Sequence, residues 1–221
     1  MPSTSSEARD HSAPLLRVRT FYEQHELPVV TLAFVLLAVA CTWPLVTRLR
    51  TALPSDIGDP LLVAYILAWD ADRLASGLAG FWHAPFFYPF NYTLAYSEHL
   101  LGVALFTAPV QWVSGNAVLA YNLAFLGSTV LAGVGTYGLT RELWGRRDAA
   151  WLAGLSFAFA PHRVDQVSHL QVLMSGWMPV ALWAFNRYFR TGSRRALAGF
   201  VAAFTLQGLS NGYFMFFFAI A

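Results

Sequence analysis

Val118–Leu139, VLAYNLAFLGSTVLAGVGTYGL, decides the fold class. It carries no ionisable acid or base, and at about 1.5 Å per residue a helix of this length spans the ~30 Å hydrocarbon core of a bilayer. Arg141, Arg146 and Arg147 follow it directly. Basic residues at the end of an apolar span mark the cytoplasmic side, so this end is expected to face the cytoplasm. Gly127, Gly133, Gly135 and Gly138 lie inside the stretch, where small residues allow helices to approach closely.

Other apolar blocks surround this one. The 221 residues are 57% hydrophobic and 12% charged, against roughly 25% charged in soluble domains. Long apolar blocks predict an all-α, polytopic transmembrane helical bundle, whereas a membrane barrel would show short alternating segments. The first block, from about Leu27 to Val46, lacks a small-residue cleavage site and reads as an uncleaved anchor. Residues 1–27 are a polar cytoplasmic tail carrying Arg9, Arg17 and Arg19, with an interfacial helix expected near Leu15 to Tyr22. Residues 28–221 form the membrane module.

Leu100 to Val113 is too short for a full span and contains Pro109, so it is expected to be re-entrant or interfacial. Charge parity agrees: if it crossed, the three arginines after Leu139 would lie outside. Ala149 to Ala160 then runs outward, and Leu170 to Phe189 returns to a basic loop containing Arg190, Arg194 and Arg195. Ala196 onward runs outward again, interrupted by Ser210-Asn211-Gly212. About five crossings result. The final run, Tyr213 to Ala221, stops without a closing polar residue, and the chain is expected to be the N-terminal part of something longer. The net charge of +2, spread in short clusters beside apolar blocks, carries topology and gives no nucleic-acid footprint. Cys41, the single cysteine, excludes an intrachain disulfide and is expected to be a small buried residue.

Ionisable residues concentrate in two loops on the external side. The first opens with Pro54-Ser55-Asp56-Ile57-Gly58-Asp59-Pro60 and continues into an amphipathic juxtamembrane helix, Leu61 to Leu78. There Leu62, Tyr65, Ile66 and Trp69 share a face, with Asp70, Asp72 and Arg73 elsewhere. Phe81 to Phe90 is an aromatic, proline-broken interfacial loop. Asp59 fits either a helix cap or, with Asp56, a general base or metal-binding carboxylate facing an external cavity. Glu98 and His99, at the start of the re-entrant segment, are candidates to line that cavity. In the second loop His162, Asp165, Gln166 and His169 fall on one face if the segment is helical. They form either a solvated face or a metal- or phosphate-linked site, and Arg163 suits a phosphate.

The quoted segments PSDIGDPLLVAYILAW, FFYPFNYTLAYSEHLLG and NAVLAYNLAFLGSTVLAGVGTYGLTRELWGRRDAAWLAGLSFAFAPHR resemble the N-terminal module of bacterial GT-C-type integral membrane glycosyltransferases. This is the broad class that includes protein mannosyltransferases and aminoarabinose transferases. The resemblance covers roughly Pro28 to the end and lies in layout rather than in a single motif. It implies a plasma-membrane enzyme that moves a sugar from a polyprenyl-phosphate-linked donor to an extracytoplasmic acceptor. A catalytic acid in the first external loop matches Asp59 best and Asp56 next. It also implies a cavity lined by Glu98, His99, His162, Asp165 and His169, with Arg163 meeting the carrier phosphate. Some members use a divalent metal such as Mg or Mn. Here the acids stand three apart, and the only Asp-x-Asp, Asp70 to Asp72, lies on the amphipathic helix. The competing class is a transporter, flippase or assembly component for lipid-linked polymers. Such proteins favour broken helices and midplane polar sites. Ser210-Asn211-Gly212 leans that way, and the external concentration of ionisable residues leans toward an enzyme.

Overall fold

A computed structural model describes residues 25–220; the expected helix near Leu15 to Tyr22 lies outside them. The described residues are all-helical, with no strand. In chain order the helices are α1 (Glu26–Cys41), α2 (Asp59–Ala75), α3 (Leu101–Ser114), α4 (Ala117–Trp144), α5 (Arg147–Ala158), α6 (Pro161–Asp165), α7 (Leu170–Leu173), α8 (Trp177–Thr191), α9 (Arg194–Ser210) and α10 (Gly212–Ile220). Short 3₁₀ turns stand at Leu45–Arg48, Thr93–Tyr96 and Met174–Gly176.

The decisive stretch is α4. The Asn116 side chain caps it by accepting the Leu119 N–H at 2.7 Å, and Gly145 ends it at φ +68°, a conformation glycine adopts without strain. Among the described residues it alone is long and apolar enough to cross a membrane, while α1 and α3 are shorter apolar helices. α4 touches α1, α2, α3, α5 and α8. Three of its four glycines explain how. A methyl at Gly133 would overlap the Phe34 ring of α1, and one at Gly138 would overlap Trp183 of α8. One at Gly135 would lie 2.8 Å from Val180. Gly127 meets nothing within 4 Å, so its place in the expected packing set is not needed.

At one end of α4, Glu26 of α1 accepts hydrogen bonds from Tyr137 Oη at 2.7 Å, Arg141 Nε at 2.8 Å and Arg147 Nε at 3.0 Å. Burial alone would raise this carboxyl, but the three donors outweigh burial and hold it below the ordinary value. At the other end, Asn122 Nδ2 donates to Leu49 O and Ala52 O at 2.9 and 2.7 Å, and Asn116 Nδ2 donates to Arg50 O at 3.1 Å. These bonds fix the chain that leads from α1 into the acidic turn.

Several sequence readings need correction. Residues 170–189 do not form one helix; a 3₁₀ turn at Met174–Gly176 divides α7 from α8. Cys41 is exposed, not buried. The amphipathic helix begins at Asp59 rather than at residue 61, and its buried face contains Ile66, Leu67, Asp70 and Ala71. Tyr65, expected on the apolar face, is exposed. Asp70 is fully buried, with neither carboxylate oxygen paired among the described residues, and burial raises it to about 8.

Two stability outcomes follow from this packing. Gly138→Ala is expected to destabilise the protein by about 1–3 kcal/mol through overlap with Trp183, whereas Gly127→Ala is neutral or slightly stabilising; thermal-unfolding midpoints of the two purified variants test the contrast. Asp70 has a folded-state value raised above 3.8 to about 8. Its contribution is therefore full at low pH and is lost as pH rises through that window. Unfolding midpoints should fall as pH rises from about 5 to about 8 in the wild type, and much less in Asp70→Asn.

Candidate functional site

The acidic turn and the 161–169 segment are more than a hundred residues apart in sequence and meet in space. Gly58 caps α2, and Asp56 Oδ1 accepts the Gly58 N–H at 2.8 Å. This closes the turn and sets Asp59 as the first helical residue, not the cap. Pro60 follows with the φ that a first helical turn requires. The Asp59 carboxylate thus sits where the partial positive charge of a helix N-terminus favours it. Its Oδ2 lies 2.9 Å from His169 Nε2, and both side chains remain partly open to solvent.

The contact is one of distance, with no hydrogen bond between the two groups among the described residues, and His169 Nδ1 is buried and unpartnered. A second tie runs alongside: Ser168 Oγ donates to Asp56 Oδ2 at 3.2 Å and lies 2.7 Å from Ser55 Oγ. Ser55 has φ +67°, a left-handed conformation that a non-glycine residue holds only where its surroundings impose it. The Ser55–Ser168 contact is such a restraint. Neither serine stood out in the sequence. The one available signal for Ser168 was its place directly before His169.

The rest of the expected stripe is not a single face. α6 ends at Asp165, the chain turns through Gln166 to Ser168, and His169 caps α7. His162 and Asp165 are exposed, and Asp165 accepts only from Gln166. A short helix followed by a turn breaks the three-residue spacing that a single helix would need to put them on one face with His169.

Arg163 also departs from its expected role. It is 8% exposed, and its guanidinium points inward. Nε donates to Ala158 O at 3.1 Å, Nη1 to Leu173 O and Ser175 Oγ at 2.8 and 3.0 Å, and Nη2 to Ser128 Oγ at 3.3 Å. Burial lowers it to about 10. With four N–H groups committed to protein acceptors, it is not placed for bidentate phosphate recognition. It binds the end of α5, the middle of α4 and the turn after α7 into one support beneath His169.

Glu98 and His99 divide between two neighbourhoods. His99 Nδ1 accepts the Leu101 N–H at 3.1 Å, and its ring stands edge-on to Phe81 and Trp82 at 6.0 and 5.7 Å. Burial lowers it, partly offset by the Glu98 charge. Glu98 Oε2 accepts the Gly212 N–H at the start of α10, at 3.2 Å. Asn211, between α9 and α10, donates to Gln171 O at 3.2 Å, which ties this region to the segment that carries His169.

Beside the acidic turn lies a cavity of about 340 Å³ lined by Cys41, Leu45, Arg48, Ser55, Phe125 and Val167. Its walls are mostly apolar, with one cation. For a divalent metal, the donors near Asp59 are one imidazole and a second carboxylate held by Ser168. Among the described residues no group of three or more His, Cys, Asp or Glu is arranged to hold a metal ion. The donor set does not fit the metal that the resemblance allows.

No family model, curated protein or solved structure matches this chain.

Arg163→Lys keeps the charge but loses the fork that serves four acceptors. It is expected to destabilise the protein by about 2–3 kcal/mol, read as a lowered unfolding midpoint. Unchanged stability would contradict the clasp.

Proposed function

We propose that this protein is a polytopic, GT-C-like membrane glycosyltransferase of the bacterial plasma membrane, with its N-terminus in the cytoplasm. It transfers a sugar from a polyprenyl-phosphate-linked donor to an extracytoplasmic acceptor. The observation that carries this reading is the 2.9 Å pair of Asp59 and His169, set at a helix start and partly open to solvent. Candidate catalytic bases need this combination of reach and fixed orientation.

In this reading an acceptor hydroxyl approaches Asp59 Oδ1, the oxygen not turned to His169. Its proton passes to Asp59 as the acceptor oxygen bonds to the anomeric carbon. The bond from that carbon to the phosphate oxygen breaks, and the polyprenyl phosphate leaves with the bonding pair. His169 lies against the carboxylate, with Nε2 2.9 Å from Oδ2, and limits its positions. Asp56 holds the turn through Gly58 and Ser168 and is a positioning residue. The apolar cavity beside Ser55 suits a prenyl chain, and Arg48, which lines it, supplies the cation for a phosphate that Arg163 does not. No step is routed through a metal.

One observation favours the second reading, a transporter or flippase for lipid-linked polymers. The helix pair α9 and α10 is broken at Asn211, and Gln207, fully buried just before the break, leaves both amide atoms unpaired. Broken helices with buried polar groups are the usual form of transport sites.

Transfer from a polyprenyl-phosphate sugar by the protein in proteoliposomes separates the two. Asp59→Asn should reduce the rate by about 10²–10⁴-fold. His169→Gln should reduce it less, since it removes orientation and leaves the base. Asp56→Asn should act mainly through the turn. Full activity in both aspartate variants would eliminate the proposed base.

A further inference from the structure

We infer that the cleft between residues 95–98 and α10 is a binding subsite for an uncharged sugar ring, with Glu98 accepting its hydroxyls and Tyr213 and Phe216 covering its apolar face. The inference deepens the glycosyltransferase reading and rests on it for the choice of ligand.

The cleft holds about 580 Å³ and is lined by Tyr96, Ser97, Glu98, Tyr213, Phe216 and Phe217 among others. That volume falls within the ~300–1,000 Å³ usual for small-molecule sites, which combine aromatic walls with a few fixed polar groups. Tyr96, Tyr213, Phe216 and Phe217 are all more than 60% exposed, so their rings are uncovered by protein. A sugar ring has the matching two-sided chemistry: C–H groups for an aromatic face and hydroxyls at its edge.

Glu98 supplies the polar contact. Its Oε2 accepts the Gly212 N–H, and among the described residues no arginine, lysine or histidine forms an ion pair with it. Oε1 is therefore left for a hydroxyl donor, a charge-assisted bond stronger than a neutral one. The carboxylate is also fixed in place. Asn211 is 2% exposed, donates to Gln171 O at 3.2 Å and accepts the Phe214 N–H at 2.8 Å. These bonds set the start of α10 against Glu98 on one side and against the chain after His169 on the other. The start of α10 is thereby tied to Gln171, two residues after His169, and the cleft shares no residue with the Asp59–His169 pair.

An organic cation is the competing ligand, because a carboxylate beside aromatic rings also suits an ammonium group. Two features favour the sugar. The start of α10 points its partial positive charge at Glu98 and offsets the negative potential that would attract a cation. The hydroxyls of Tyr96, Ser97 and Tyr213 offer both donors and acceptors, and an ammonium group cannot use the donors.

Saturation-transfer NMR on the protein in lipid nanodiscs tests this with methyl glycosides of glucose, mannose, galactose and arabinose, and with tetramethylammonium as the cation probe. Saturation of the ring protons of at least one glycoside is expected. Its affinity should fall roughly tenfold in Glu98→Ala and in Tyr213→Ala and stay unchanged in Asp148→Asn, whose side chain pairs with Arg146 outside the cleft. Glu98→Gln keeps an acceptor for Gly212 but loses the charge, so weakened binding there, at an unchanged unfolding midpoint, separates ligand recognition from folding. Glycoside signals no greater than with empty nanodiscs, equal signals in all variants, or preferential saturation of tetramethylammonium would each overturn the inference. Sugar transfer by the wild type is scored separately: binding without transfer counts against the transferase alone, and transfer without cleft binding counts against the subsite alone.

Discussion

Everything around the site hangs on α4, a helix with bare backbone toward one end and short polar side chains toward the other. Gly133, Gly135 and Gly138 let α1 and α8 come within ring contact of its backbone. Asn122 and Ser128 reach outward instead, and each holds one half of the site. Asn122 fixes residues 49–52 ahead of the acidic turn, while Ser128 receives Arg163 beneath the 161–169 segment. The Asp59–His169 distance is therefore set by two independent anchorages on one rigid element. Precise placement of reacting groups depends on such support more than on the groups themselves.

The same arrangement explains why strain is tolerated at Ser55. A left-handed serine is unfavourable in isolation. Here the turn is held upstream by Asn122 and downstream by the Asp56 and Pro60 contacts that start α2, and Ser168 closes it from the side. The aromatic segment between α2 and α3 adds a separate layer. Trp69 Nε1 donates to Phe81 O at 2.8 Å, and His99 is enclosed by Phe81 and Trp82. That layer places residues 95–98 over the start of α10.

Helix type and approximate position were legible in the sequence wherever one strong periodic signal acted alone. α4 is longer than the quoted stretch but contains it, and α3 has the short length read from residues 100–113. The acidic turn, Glu98 and the 162–169 segment were expected to meet at one external cavity; the structure brings Asp59 to His169, while Glu98 bonds the start of α10. Failures occurred where local periodicity competed with tertiary demands. Equal spacing put His162, Asp165 and His169 on one face, but the chain must turn at Gln166 to bring His169 to Asp59. Arginine in a loop suggested a phosphate ligand, yet the open carbonyls at the ends of α5 and α7 claim Arg163 first. Asp70 was assigned to the polar face by its charge, although burial leaves it largely uncharged and so compatible with the packed face.

Glu26 and Asp59 show how partners, not residue type, separate a carboxylate held by several donors from one left partly open. Glu26 receives three donors, two of them guanidinium groups, and is held in its charged form with no oxygen left over for chemistry. Protonating it would break the joint between α1, α4 and α5. Among the described residues Asp59 has one side-chain partner, an imidazole that meets one oxygen, and its side chain is partly open to solvent. An arginine in place of His169 would grip both oxygens in a fork and fix the charge, turning the site into a second structural joint. An imidazole meets the carboxylate at one oxygen only. The choice of histidine at position 169 is thus what keeps the start of α2 chemically available while α4 holds it still.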